Sequence, residues 1–323
     1  MVTKASLEIL MKLTTLPIIL VIGAMSSHAA QKDLDRTDRF PAAEGKIVQV
    51  DAADLDLRVR AADVEFIEAN TLLHIGGTGD DKAQRWIDNH TPVFTDGEEH
   101  LEIVVEPGKS GFLGFGSLSA KARLALLVPG WIIPDLTTTS GNIQARGDYR
   151  NAQPLRLRTS SGNIDFVGAA ISLEARSAGG DAQIEVIRPL ESFIALTSSG
   201  EVRLVGGTRD ARVDTASGAI RLENLSGGVE VSSSNGKITL IWDRLDADQN
   251  IRVRSSSGRV QLVVPGDADP RGTLRTTTGS VRSELPGEVT ADGTTLVLQG
   301  EGPTFDVETA SGEIQLTIGE SWD

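Results

Sequence analysis

Nine glycines (Gly141, Gly162, Gly180, Gly200, Gly218, Gly236, Gly258, Gly279 and Gly312) each close a near-copy of one short sequence. LRLRTSSGNIDF, FIALTSSGEVRL, ARVDTASGAIRL and IRVRSSSGRVQL are examples. Successive glycines lie 18–22 residues apart except for a last interval of 33, which leaves room for one degenerate unit around residues 295–300. A repeat of this length is a single supersecondary unit that buries its apolar face only against its neighbours. The constraint therefore falls on the whole fold before any one residue is considered.

Columns aligned on the glycine give each position a role. Five residues before it stand Leu136, Leu157, Ala175, Ala195, Val213, Val231, Val253, Leu274 and Val307, and two after it Ile143, Ile164, Ala182, Val202, Ile220, Ile238, Val260, Val281 and Ile314. Both columns are apolar throughout. The column four after it is apolar except for Ser283, and the positions between are mostly polar. This is period-two alternation on both sides of a turn, so each unit reads as two short strands with one buried face. Three residues before the glycine every unit carries a hydroxyl, from Thr138 and Thr159 to Thr276 and Thr309, on the same face as the apolar column. A buried hydroxyl needs a hydrogen-bond partner. Backbone groups freed by the turn, or the hydroxyl of the next unit, would serve. The glycine suits a positive-φ position in that turn.

The fold class is thus all-β, in one of two arrangements. In a β-solenoid, β-helix-like, about nine short repeats stack about 4.8 Å apart behind an N-terminal β-rich cap. The alternative is an antiparallel meander or sandwich of hairpins. Columns this uniform favour stacking, because each unit then meets a near-copy of itself. The organisation we expect is residues 1–29 as a signal peptide, 30–133 as the β-rich cap region and 134–323 as the solenoid.

The repeats, following the strand sequence ARLALLVP at residues 122–129, resemble the putative-adhesin β-strand-repeat family DUF4097, whose function is unknown. The resemblance spans about residues 40–319 and is specific in the repeats. It implies a β-helix-like fold, an exported or envelope-associated location and no established catalytic residues.

The N-terminus has the form of a secretory signal. Lys12 precedes the apolar residues 13–24, and Ser27-His28-Ala29 supplies small residues for cleavage before Ala30. Met11 would also start such a signal. Twelve apolar residues are too few to cross a bilayer roughly 30 Å thick, and we expect no membrane span after cleavage. Removing 1–29 takes the net charge from −14 to −15, which argues against nucleic acid and anionic lipid as partners. Cysteine is absent, so thiol chemistry, iron–sulfur clusters and Cys-based zinc sites are excluded.

Between residues 40 and 129, strands are expected at 47–50, 55–59, 101–105 and 123–128. Asp80 is placed to N-cap a short helix in which Ala83, Trp86 and Ile87 share a face. Phe112 and Phe115 lie in the glycine-rich segment GFLGFG and are the possible partner contact, either exposed or folded back over the core.

Candidate chemistry does not survive inspection. GGTGDD at residues 76–81 matches one calcium β-roll unit, but such ions sit between tandem units and this occurs once. SNGK at 234–237 fits SxxK yet falls on the repeat turn rather than a helix start. His74, His90 and His100 have no metal-binding spacing, so neither a metal site nor a cofactor is expected. The best carboxylate pair for a polysaccharide-active enzyme is Asp181 and Glu201, one after successive glycines. A solvated charged face explains that pair more simply. The expected function is a non-catalytic, adhesin-like structural or binding solenoid of the cell envelope, periplasmic or extracellular. Its partner would be an envelope protein or a glycan. The alternatives are an accessory protein in envelope sensing and a polysaccharide-active β-helix enzyme.

Overall fold

Alternating burial turns each repeat into two strands joined by its glycine turn. The computed structural model describes residues 31–106, 119–150 and 153–319. Residues 1–29 and the Phe112–Phe115 segment therefore lie outside the described residues. Strands β1 (Gln31–Pro41), β2 (Ile47–Ala52), β3 (Asp56–Ala62) and β4 (Phe66–Gly76) lead into helix α1 (Asp80–His90). After it come β5 (Val93–Asp96), β6 (His100–Val105) and β7 (Ser119–Pro129). The repeats supply β8 (Ile133–Thr138) with β9 (Ile143–Asp148), β10 (Leu155–Thr159) with β11 (Ile164–Ala169), and β12 (Ser172–Ser177) with β13 (Ala182–Val186). They continue as β14 (Leu190–Ser199) with β15 (Val202–Val205), β16 (Thr208–Ser217) with β17 (Ile220–Leu225), and β18 (Val229–Asn235) with β19 (Ile238–Trp242). Next are β20 (Asn250–Ser257) with β21 (Val260–Val264), and β22 (Arg271–Thr278) with β23 (Val281–Ser283). The last elements are β24 (Glu288–Val289), β25 (Thr295–Gln299), β26 (Thr304–Ser311) and β27 (Ile314–Ile318).

The two strands of each repeat go to different sheets, and each pairs in parallel with its equivalents in neighbouring repeats. Among the described residues sheet A has 13 strands in the order β1-β4-β7-β3-β9-β11-β13-β15-β17-β19-β21-β27-β23, and sheet B has 14 in the order β24-β25-β22-β26-β20-β18-β16-β14-β12-β10-β8-β2-β6-β5. This is the stacked solenoid rather than the antiparallel meander. Register holds along the columns: Leu157 pairs with Leu136 and Ala175, and Val231 with Val213 and Val253. Leu136, Leu157, Ile143 and Ile164 are fully buried and belong to one core cluster that runs through both sheets. Phe166 and Phe193 are among its largest side chains and are inaccessible to solvent; truncating either to alanine would cost roughly 3–5 kcal/mol.

Spatial order departs from chain order at both ends. β2 and β3 lie inside β6 and β7, against β8 and β9. At the other end β26 and β27 slot between β20/β21 and β22/β23, with Val307 pairing to both Val253 and Leu274. The long interval before Gly312 therefore holds no further parallel coil. Its strand β25 runs antiparallel on β22, and β24 on β25, as a cover over the end. The end position also explains Ser283: β23 has one neighbour in the sheet, and the Ser283 hydroxyl caps the strand by bonding the backbone of Leu285.

At the opposite end β4 and β1 extend sheet A in antiparallel fashion, and α1 packs on them through Ala83 and Ile87 against Leu73 and Ile75. Gly79, not Asp80, is the N-cap, and no side chain caps the helix. Asp80 and Asp81 stand in the first turn, where their charge suits the helix dipole. β1 is too charged to bury, and polar cross-strand contacts hold it to β4: Arg39–Glu68 at 2.7 Å, Asn70 to both Asp35 and Thr37 at 3.0 Å, and His74–Asp33 at 2.6 Å.

The glycine column is enforced by close stacking. A Cβ on Gly162 would stand 2.0 Å from the Gly141 carbonyl oxygen, and one on Gly236 2.0 Å from that of Gly218. Gly236 also has a φ of +144°, which disfavours any side chain. The hydroxyl column divides in two. Thr159 accepts the Gly162 N–H at 3.0 Å and donates to the Gly141 carbonyl at 3.0 Å; Ser177 makes the same pair of bonds with Gly180 and Gly162 at 2.9 and 3.1 Å. At Gly200, Gly218, Gly236, Gly258 and Gly312 the glycine N–H bonds the neighbouring coil's backbone instead, as Gly218 does to the Asn235 carbonyl at 3.0 Å. The hydroxyls of Thr197, Thr215, Ser233 and Ser255 are then buried without a partner among the described residues.

Candidate binding surface

The outward side chains of sheet B form two charged ladders. Six residues before each glycine, in spatial order, come Asp135, Arg156, Glu174, Ile194, Arg212, Glu230, Arg252 and Asp306, each in register with the next. Charges alternate along this column. Ion pairs run between adjacent coils at 3.7 Å for Arg156–Asp135, 3.4 Å for Arg212–Glu230 and 3.7 Å for Arg252–Asp306. The neighbouring column supplies Arg158, Arg176, Leu196, Asp214, Ser232, Arg254 and Glu308. Glu174 is the focus of one end: its carboxylate, only 11% exposed, takes Arg176 at 2.6 Å, Arg158 at 3.3 Å and Arg156 at 3.7 Å. At the other end Asp306 bonds Arg254, which holds its carboxyl below the usual carboxylate range. Exposed pairs of this kind contribute about 0–1 kcal/mol each. Their larger effect is to present fixed, alternating charge on one face.

Both ladders break at β14. Ile194 interrupts the first between Glu174 and Arg212, and Leu196 interrupts the second between Arg176 and Asp214. A groove lies on each side of this apolar step. One, of about 480 Å³, is lined by Arg176, Leu196, Thr197, Asp214 and Thr215 among others. The second, of about 390 Å³, includes Ile194, Arg212, Glu230 and Arg252. Alternation of sign was readable in sequence, from the column six before the glycine. Its regularity is obscured in chain order, because Asp306 comes last in the chain yet sits beside Arg252.

The carboxylate pair considered for glycan chemistry has structural work to do. Asp181 accepts the backbone N–H of Glu201 at 2.8 Å, as Asn163 does for Asp181 at 3.0 Å, Asn142 for Asn163 at 2.9 Å and Asp56 for Asn142 at 2.9 Å. This side-chain ladder ties the turn of each coil to the next. Among the described residues no group of three or more His, Asp or Glu side chains is arranged to hold a metal, and the Gly76–Asp81 segment is the link from β4 to α1. Of the Ser234–Lys237 segment, Ser234 and Asn235 end β18 and Gly236-Lys237 turn into β19.

The family model for Toastrack DUF4097 matches residues 52–317. The chain belongs to the Toastrack DUF4097 family. Solved structures similar to it include a putative adhesin from Parabacteroides distasonis, with 10% identity, a TM-score of 0.46, and coverage of 88% of this chain and 97% of that one. A putative adhesin from Bacteroides fragilis aligns at 11% identity with a TM-score of 0.39, covering 91% and 98%. A putative lipid binding protein from Parabacteroides distasonis aligns at 12% with a TM-score of 0.36, covering 88% and 97%. No curated protein matches the chain. Membership in the Toastrack family thus rests on the sequence model, and the columns and parallel sheets are how this member builds it. No helix among the described residues is long and apolar enough to cross a membrane.

Proposed function

We propose that this Toastrack protein is an exported scaffold of the cell envelope, non-catalytic along its stacked coils, that binds an envelope protein or glycan on sheet B around β14. The break in the charged ladders carries this reading. Ile194 and Leu196 offer an apolar step at the middle of a face otherwise set with alternating charge, with a groove on either side. Partners favour such sites, where an apolar contact supplies affinity and surrounding charges supply register. Export is supported by the signal-like residues 1–29, and a periplasmic or extracellular address follows from it. Phe112 and Phe115 are proposed, on sequence alone, as a second contact.

The test is an unbiased pull-down from envelope fractions with residues 30–323 as bait, identifying proteins and glycans. Ile194→Asn/Leu196→Asn is expected to lose the enriched partner while keeping its melting temperature. An unchanged partner list with the double variant would reject the β14 surface, and loss with Phe112→Ser/Phe115→Ser instead would move the contact there.

A further inference from the structure

The antiparallel edge of sheet A brings together three side chains that the repeat columns do not explain. Asp33 on β1 lies 2.6 Å from Nδ1 of His74 on β4, and Nε2 of the same ring lies 3.2 Å from Oγ of Ser119 on β7. The carboxylate is held from its other side by Gln31 Nε2 at 3.1 Å and sits below the usual carboxylate range, chiefly through its bond to His74. An ionised carboxylate only accepts hydrogen bonds, so Nδ1 carries a proton and donates it to Asp33, and in the neutral ring it is Nε2 that offers its lone pair to the Ser119 hydroxyl. Gly76 is the register partner of Ser119 and puts no side chain beside the hydroxyl. All three groups are reachable from solvent, on the outer face opposite the one that α1 covers.

Nucleophile, base and orienting acid in hydrogen-bond sequence are what acyl transfer through a serine requires, and the arrangement is recognised by geometry rather than chain order. We propose that Ser119, His74 and Asp33 form an acyl-transfer relay acting on small activated esters, a function separate from binding at β14. In the first half-reaction Ser119 Oγ bonds the ester carbonyl carbon and its proton passes to His74 Nε2. The bond to the leaving alcohol then breaks, and the alcohol takes that proton. In the second half water attacks the acyl-serine, gives its proton to Nε2, and the carboxylic acid leaves as Ser119 recovers the proton. Asp33 is a positioning residue, fixing the tautomer. Lys121, in register opposite His74 on β7, is the cation assigned to the developing oxyanion.

The experiment uses residues 30–323 and a fluorophosphonate, which forms an Oγ–P bond with loss of fluoride, and reads occupancy serine by serine by mass spectrometry. Exposed Ser160 and Ser198 in the same molecule are internal controls. Ser119 is expected to label at least about tenfold faster than either, with a comparable loss in His74→Gln. Asp33→Asn should lose the selectivity and Asp33→Glu regain part of it, with Ser160 and Ser198 labelling at the wild-type rate in both to show that the fold is intact. Hydrolysis of p-nitrophenyl acetate should fall to buffer rates in Ser119→Ala, whose exposed hydroxyl is dispensable to the fold. Labelling of Ser119 no faster than of Ser160 and Ser198 in the wild-type chain overturns the relay and leaves the binding role at β14 untouched.

Discussion

Arg254 on β20 donates to the carboxylate of Asp306 on β26, 52 residues further along the chain, and its guanidinium also reaches the Asp306 carbonyl at 2.9 Å. These bonds fasten the last coil of the sequence against one that precedes it by two repeats. Asp306 has a folded pKa below its ordinary value of 3.8, first through the Arg254 bond and further through the charges of Arg252 and Arg275. A lowered carboxylate contributes stability that is present above the unfolded value and disappears as pH falls through the folded one. Asp306→Asn should therefore lower the melting temperature at neutral pH, and the gap to wild type should close as melts are repeated toward about pH 2.

The divided hydroxyl column separates two substitutions that look alike in sequence. Ser177→Ala removes bonds to the Gly180 N–H and the Gly162 carbonyl, both buried, and should cost about 1–3 kcal/mol. Ser233→Ala removes a buried hydroxyl with no partner among the described residues and should be neutral or stabilising. Urea unfolding of the two variants checks this, and equal losses would mean that both hydroxyls are bonded.

Gly162→Ala forces a Cβ onto the backbone of the adjacent coil and should destabilise by about 3 kcal/mol or more. Gly293→Ala has open space around its Cβ, so only the positive φ of +69° opposes it, at about 1 kcal/mol. The ratio of these losses in denaturant melts measures how much of the glycine requirement is packing rather than backbone conformation.

Tyr149, the one tyrosine in the chain, is buried against Phe166 and donates to the Arg146 carbonyl at 3.2 Å. Burial pushes its phenol above the ordinary value of 10. The sign is opposite to that of Asp306: the contribution is intact below the unfolded value and is lost as pH rises beyond it. Ultraviolet titration should show no tyrosinate near pH 10 until the protein unfolds, and Tyr149→Phe should abolish the alkaline step in stability.

The repeats were legible because burial on one face imposes period two, and stacking imposes it nine times. Strands β2, β3, β6 and β7 were legible for the same reason. β1 was not: Gln31–Pro41 is rich in Asp and Arg and pairs through polar contacts that no hydrophobic pattern reveals. The inserted last coil was equally hidden, since Val307 matches the column whether it stacks on Val253 or Leu274. The β14 step needed register, because Ile194 and Leu196 stand out only beside the arginines and acids of neighbouring coils. Ser119 and His74 are 45 residues apart, and only the antiparallel pairing of β4 with β7 brings them within reach.

The inserted coils set how the rod responds to loss of its termini. Stripping β26 and β27 does not shorten the stack by its outermost layer; it opens a slot in the interior, between β20/β21 and β22/β23. β2 and β3 stand in the same relation to the other end. At the β22/β23 end the outermost pair is held behind strands that come later in the chain, so loss of β26 and β27 opens the stack from within, whereas β1 at the other end is itself an edge strand and can leave without disturbing the coils.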